Sequence, residues 1–384
     1  TYGKPIFARE DQCLALLDVA LRTAEIPAKN SFDRQGRRQS LERLGLPYLL
    51  QEIQDVIEGW GVTSLEDYLA LDRRGRGAPL QAKLREALWS IYQTWQKLME
   101  RDGYITWPQL RCKALAVVEQ LAESPYQAVV IDEAQDLSPV SLRFLLALVP
   151  SLEGVYLTAD ASQSLYQRGF SWKQIHADLK VTGRTLLLKR NYRNTEQIIA
   201  ACATILEGTS AGDAECLAQE PSAYQGEIPT IILTDSVEQE SRLIHSFFIE
   251  AAKRCRLPLH GGAVLCPSVA MGKAIAQRLV KQGAEAQFVA GNDIDLNAPY
   301  IKVMTLHSAK GLEFPYVAVV GLREGTLPYM GADLPEDEMK SVSDEQRRLF
   351  YVGCSRAMRA LLVSGSRSNS SSFLEGLSAP YWKK

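Results

Sequence analysis

Along the first 110 residues, apolar positions recur at helical spacing. One stretch carries Leu41, Leu44, Leu49, Ile53, Val56 and Ile57, and another carries Leu80, Leu84, Leu88, Ile91, Trp95 and Leu98. An apolar stripe that returns every three to four residues predicts amphipathic helices sharing a core. Between the stretches lies a turn-rich basic segment, 72–79, with Arg73, Arg74 and Arg76. A second basic cluster, Arg34, Arg37 and Arg38, lies upstream, and both read as solvated loop charge.

From about Tyr126 the pattern changes to short apolar runs alternating with amphipathic stretches. Strands are predicted at 128–131, 155–157, 185–188, 228–233, 263–266, 287–289, 301–306, 317–320 and 361–363. Ser138-Pro139 opens a helix reaching about Val149, with a serine N-cap and a proline at the first helical position. Thr195 caps a helix that stops at Gly208, and Ser236 with Gln239 forms a capping box for a long helix. Strands alternating with helices predict an α/β fold with two parallel sheets. The tail, 364–372, is serine-rich and is expected to be flexible.

Composition alters this picture little. A chain of 384 residues, 46% hydrophobic, has room for two or three domains. Its net charge of −2 gives no whole-chain attraction to nucleic acid, so a nucleic-acid binder of this composition must use local basic strips and stacking aromatics. The seven cysteines are scattered without a C-x-x-C pair, which points to reduced thiols in a cytoplasmic protein rather than to zinc or disulfides. With no apolar run of about 18 residues, no membrane partner is expected. The chain starts at Thr1 rather than Met, which suggests that further sequence lies upstream.

Candidate chemistry begins at 129–136, where the strand Val129-Val130-Ile131 ends in Asp132 and Glu133. Ligands of nucleotide-hydrolysing α/β folds sit at the carboxyl ends of parallel strands. Side chains alternate along a strand, so the two acids have separate tasks: Asp132 suits Mg²⁺ held through water, and Glu133 suits the attacking water. A strand that merely surfaces in charged residues is the plain alternative. Downstream, Gln163 follows the 155–157 strand and is placed to reach a terminal phosphate. Lys189-Arg190-Asn191-Tyr192-Arg193-Asn194 follows a third strand, where Arg193 suits a phosphate and Tyr192 suits stacking on a purine.

These segments resemble motifs II, III and IV of the UvrD/Rep-like superfamily 1 helicases, in the family's order. Val303-Met304-Thr305-Leu306-His307-Ser308-Ala309-Lys310-Gly311-Leu312-Glu313-Phe314 resembles motif V, and the run from Glu345 to Ala357 resembles motif VI. The resemblance implies two RecA-like parallel-sheet motor domains, the first incomplete, with an N-terminal helical arm. It places the arm at 1–110, the remainder of the first motor domain at 111–208 and the second at 209–384. Arg356 becomes the arginine finger, with Arg193 its companion; such a guanidinium is worth about 10³ to 10⁵ in rate. Gly311 and Glu313 hold the ribose and γ-phosphate, and Thr305 and His307 face the DNA backbone. ATP, Mg²⁺ and single- or double-stranded DNA are the implied ligands. The run Tyr166, Arg168, Phe170 and Trp172 supplies DNA stacking, although relatives carry an aromatic between positions 167 and 168 that is missing here. For Phe170 and Trp172, core packing stays open.

One part of the family pattern is absent. No G-x-x-x-x-G-K-[ST] occurs: Gly272-Lys273-Ala274 lacks the first glycine and the hydroxyl, and Gly3-Lys4-Pro5 fails likewise. Without backbone amides and a lysine around the β- and γ-phosphates, the acids lack a well-held substrate. The expectation is a truncated or split 3′→5′ DNA helicase, inactive alone, whose phosphate loop sits on another segment or chain. The rival is a non-catalytic module that binds single-stranded DNA or protein on the same scaffold.

Overall fold

The computed structural model describes residues 6–71, 80–159, 175–176, 186, 190–207, 209, 222–291, 294–329 and 336–384. The chain divides into two compact units, Thr1–Asp160 with Gln167–Thr185, and Ala161–Tyr166 with Leu186–Lys384. Among the described residues, no helix is long and apolar enough to cross a membrane.

The first unit opens with β1 (Ile6–Phe7), α1 (Glu10–Thr23), α2 (Ser31–Leu44), α3 (Leu46–Gln51), α4 (Leu65–Ala70), α5 (Ala82–Arg101), β2 (Tyr104–Ile105) and α6 (Trp107–Val118). Leu41, Leu49, Ile53, Leu88, Ile91 and Trp95 are buried together, as the helical periodicity predicts, and Leu17 of α1 joins them. The 41–57 stretch is not one helix. Gly45, at φ 82°, separates α2 from α3, and a π-helical turn, Glu52–Ile57, follows. The upstream basic cluster lies on α2 rather than on a loop, and only Arg34 of the three is exposed. Arg37 is buried and pairs with Asp33 and Glu86 at 3.2 and 3.1 Å, while Arg34 and Arg38 donate to the carbonyls of Ile26 and Ala24. Helical structure also continues past residue 110, because Thr106 and Gln109 close a capping box that starts α6. The 72–79 segment lies outside the described residues.

Beyond α6, β3 (Val129–Ile131) pairs in parallel with β4 (Val155–Leu157), and α7 (Pro139–Ala147) starts at the expected Ser138 cap. Ile131, Leu142 and Leu146 form the small core between these strands and α7.

The second unit comprises α8 (Glu196–Ile205), β5 (Thr230–Thr234), α9 (Val237–Cys255), β6 (Gly262–Cys266), α10 (Val269–Lys281), β7 (Ala286–Phe288), β8 (Ile301–Thr305), β9 (Phe314–Leu322), α11 (Glu336–Ser355) and β10 (Ala357–Ser366). Its six strands are all parallel, in the order β5-β10-β9-β6-β8-β7. Leu265, Met304, Val317 and Val319 pack on one face with Ile198 and Ile205 of α8 and Phe350 of α11. Val264, Val303 and Ala318 pack on the other with Phe248 of α9 and Leu279 of α10. Burial on both faces explains why these strands read as unbroken apolar runs.

Several expectations change here. Helix α8, expected in the first motor domain, packs with the second sheet, burying Ile198, Ala201 and Cys202 beside Val352 and Cys354. The serine-rich tail is folded: Ser371 is buried and donates to the Leu327 carbonyl, Phe373 joins the core, and Thr230 bridges to Lys383. Ser236 caps α9, but the Gln239 side chain accepts from Asp235 instead of Ser236, so only half the capping box forms. Thr195 occupies the N-cap of α8 without a side-chain hydrogen bond. The strand predicted at 185–188 falls almost wholly outside the described residues.

Candidate functional site

In the first unit, the two acids stand at the carboxyl end of β3. The Thr158 hydroxyl, one residue beyond β4, donates to Asp132 Oδ1, and the Glu133 amide donates to the same oxygen at 3.1 Å. Backbone bonds from Thr158 to the Ile131 carbonyl and from Ala134 to the Thr158 carbonyl, 2.9 and 2.8 Å, lock the strand ends together. Asp132 Oδ2 accepts no hydrogen bond among the described residues, and the carboxylate is exposed. Glu133 is also exposed and adopts a left-handed backbone, φ 52°, with Gln135 donating to its Oε2 at 2.5 Å. An open carboxylate oxygen beside a hydroxyl suits a hydrated divalent cation.

In the second unit, Arg193 and Glu313 form an ion pair at 2.5 Å, joining the loop before α8 to the start of β9. Tyr192 is exposed, with the Arg190 guanidinium 5.4 Å from its ring centre. Arg356 follows the last residue of α11 and is 2% exposed; its Nε donates to the Val352 carbonyl at 3.1 Å. Asn194, 4% exposed, links these pieces by donating to the carbonyls of Ser355 and Ala357 at 2.8 and 2.7 Å. Arg359 donates to the Arg193 carbonyl at 3.1 Å. The predicted Arg193, Glu313 and Arg356 thus gather at one end of the second sheet.

The segment after β8 carries Thr305, whose hydroxyl meets that of Ser308 at 2.9 Å and accepts from the Ser308 amide. His307 has an exposed edge but lies in a recess; burial, then Lys310, holds its pKa below the ordinary histidine value. Gly311 has φ 77°, and nothing within 4 Å would meet a Cβ there, so the backbone turn and not crowding favours glycine. Gln163, Tyr166, Arg168, Phe170 and Trp172 lie outside the described residues.

A family model described as the UvrD/REP helicase N-terminal domain matches residues 11–177, and the UvrD-like helicase C-terminal domain matches residues 290–368. The chain belongs to the UvrD/Rep-like helicases. Similar curated proteins include the ATP-dependent DNA helicase Rep of Buchnera aphidicola subsp. Baizongia pistaciae, 49% identical over 72 residues, which are 19% of this chain and 10% of that protein. Rep of Escherichia coli K12 is 51% identical over 61 residues, 16% of this chain and 8% of Rep. PcrA of Bacillus subtilis 168 is 46% identical over 67 residues, 17% of this chain and 8% of PcrA. The chain therefore matches a tenth or less of the length of these relatives. Among solved structures, the C-terminal domain of a possible DNA helicase from Lactobacillus plantarum WCFS1 aligns at 22% identity and a TM-score of 0.38, covering 50% of this chain and 98% of that one.

Two residues of this UvrD/Rep-like chain matter to the site although the sequence did not single them out. Thr158 reads as the polar end of a strand, and Asn194 as the last letter of an N-Y-R-N run. A hydroxyl one residue past a strand paired with the acid-bearing strand was the available signal for the first. For Asn194 the signal lies in partners 161 and 163 residues away.

Proposed function

We propose that this chain carries most of the motor core of an ATP-dependent 3′→5′ DNA helicase or translocase, with the phosphate-binding loop supplied by another segment or chain. The observation that carries this reading is the Asp132 carboxylate at a parallel strand's carboxyl end, braced on one oxygen by Thr158 and open on the other. That donor set fits a hydrated Mg²⁺, which when bound neutralises charge on the β- and γ-phosphates. The sequence carries no G-x-x-x-x-G-K-[ST], so on this reading ATP is held only in part by this chain. Glu133 positions the attacking water. Gln163, Arg193 and Arg356 stabilise the terminal phosphate, Tyr192 stacks on the base, and Gly311 and Glu313 hold the ribose and γ-phosphate. Thr305, His307, Tyr166, Arg168, Phe170 and Trp172 serve DNA. The protein works in the cytoplasm.

The test is ATP hydrolysis by the purified chain with single-stranded DNA. We expect negligible turnover alone. Adding a fragment that bears the missing loop restores DNA-stimulated hydrolysis, and Glu133→Gln removes it again. Hydrolysis by the chain alone that Glu133→Gln abolishes would refute the need for an outside loop. A folded complex without turnover would favour the non-catalytic scaffold.

A further inference from the structure

We propose that Arg359 is a positioning residue for Arg193, clasped over the Tyr224 ring so that the backbones carrying Arg193 and Arg356 are set as one piece. The inference rests on the reading that these two arginines serve the terminal phosphate. Neither Arg359 nor Tyr224 belongs to a motif segment.

The first turn of the evidence is a break in strand register. Ala357 of β10 faces Phe314 of β9 and Ala360 faces Tyr316, so three residues of β10 advance against two of β9. The extra residue falls at Met358-Arg359. A bulge of this kind re-aims a side chain, and such bulges gather beside active sites. Here Arg359 is brought onto the loop before α8. Its Nη1 donates to the Arg193 carbonyl at 3.1 Å and to the Met358 carbonyl at 3.2 Å. Its guanidinium carbon stands 4.0 Å from the centre of the Tyr224 ring, a distance at which a planar cation is attracted to an aromatic face.

The ring is fixed in turn. The Tyr224 carbonyl accepts from the Glu196 amide at 2.9 Å, and its amide donates to Ser222 Oγ at 3.1 Å. Ser222 is buried, and its hydroxyl donates to the Asn194 carbonyl at 2.6 Å. The amides of Arg193 and Asn194 both donate to Asn191 Oδ1, at 2.8 and 3.0 Å. The clasp is therefore reciprocal: Asn194 reaches the carbonyls on either side of Arg356, and Arg359 reaches back from β10 to Arg193. Both polar groups of the Arg193 backbone are engaged, while its guanidinium holds only a half-exposed ion pair with Glu313, which gives way at little cost. A charged donor on a fixed backbone meets developing charge without reorganising first, which is what electrostatic stabilisation of a transition state requires.

Amide exchange of the full chain, read by segment, tests the clasp. Arg359→Gln should speed exchange at Arg193 and Asn194 about 10- to 140-fold, the loss expected of one charge-assisted hydrogen bond, with α10 unchanged. Tyr224→Leu should reproduce part of that loss, and Tyr224→Phe, which keeps the ring face, should stay within about twofold of wild type. The working role is read in ATP hydrolysis by the chain with the loop-bearing fragment. Arg359→Gln should lower kcat about 10- to 100-fold, and Arg359→Lys should recover part of it. Added to Arg193→Ala, Arg359→Gln should cost nothing further, because the side chain that the clasp positions is already gone; a purely structural residue would add its own loss. Exchange at the wild-type rate in Arg359→Gln would overturn the inference, as would additive losses in kcat. Without turnover in any complex the motor reading falls, and Arg359 is reduced to a structural tie. Turnover with kcat unchanged in Arg359→Gln leaves the motor reading standing and removes the inference.

Discussion

Asn194→Ala tests whether one buried amide holds the Arg193 loop to the end of α11. In the folded chain its Nδ2 group donates to Ser355 and Ala357 at 2.8 and 2.7 Å, on either side of Arg356 in sequence. Its Oδ1 accepts from Asn191 at 3.0 Å. At 4% exposure the residue is shielded, so truncation leaves two carbonyls without their donor. Each orphaned buried acceptor costs about 1–3 kcal/mol, so the pair costs about 2–6 kcal/mol. Against a domain stability of about 5–15 kcal/mol, that is a large fraction.

Two units make a single unfolding transition an unsafe measure, so the assay is amide hydrogen exchange read by segment. Protection in α11 and β10 should fall by about 30-fold to about 10⁴-fold, at about 1.4 kcal/mol per decade. Protection in α5 of the first unit should not change. Asn194→Asp keeps the shape and the acceptor but not the donors, so it should lose as much as alanine or more. A loss of less than threefold in α11 and β10 would show that the two carbonyls find other donors and that Asn194 is not the tie.

Glu58 is buried in the helical arm, where the Thr106 hydroxyl donates to Oε2 at 3.1 Å. Burial, opposed by hydrogen bonds from Gln109, Thr106 and Tyr92, pushes its pKa up to about 7. Because the folded form keeps its proton longer than the unfolded chain, stability should fall as pH rises from the ordinary carboxylate range through 7, by about 3 kcal/mol in all. Glu58→Gln should flatten that dependence in urea melts followed by amide exchange in α5 of the first unit between pH 5 and 8, and an unchanged slope would exclude Glu58 as its source. Glu133→Gly should leave the first unit as stable as wild type or up to about 1 kcal/mol more so, because glycine takes a left-handed backbone without strain. Destabilisation in the same melts would mean that the Glu133 side chain is structural.

The helical arm was legible because its apolar stripe repeats every three to four residues and Leu88, Ile91 and Trp95 fall on the buried side. Its interruptions were not, since a π-helical turn at Glu52–Ile57 preserves apolar content while changing the pitch. Strand 155–157 was read to the residue, whereas β9 and β10 run longer than predicted. Gly321 and Gly365 sit inside them, and glycine looks like a terminator in a linear sequence. Arg37 looked like loop charge because its partner Glu86 lies 49 residues away. Motif order nominated the candidate site residues, but it did not point to the residues that brace them. Thr158 reaches Asp132 across 26 residues, and Asn194 reaches Ser355 across 161, so only pairing of the strands and docking of α8 on α11 reveals either role.

Glu133 in the first unit and Arg356 in the second are held in opposite ways, each within its own unit. Arg356 lies inside its own unit, with its guanidinium on the Val352 carbonyl and the flanking carbonyls tied by Asn194, and burial of this kind also serves a purely structural residue. Glu133 has no such excuse. It occupies a left-handed position that glycine fills without strain, it is exposed, and its side chain contacts only Gln135 among the hydrogen bonds described. A non-glycine residue in such a conformation costs about 1–2 kcal/mol. Strain without a packing return gathers where a side chain serves chemistry. A binding scaffold would gain stability by giving up this glutamate, so Glu133 separates the proposed motor from a scaffold more sharply than Arg356 does.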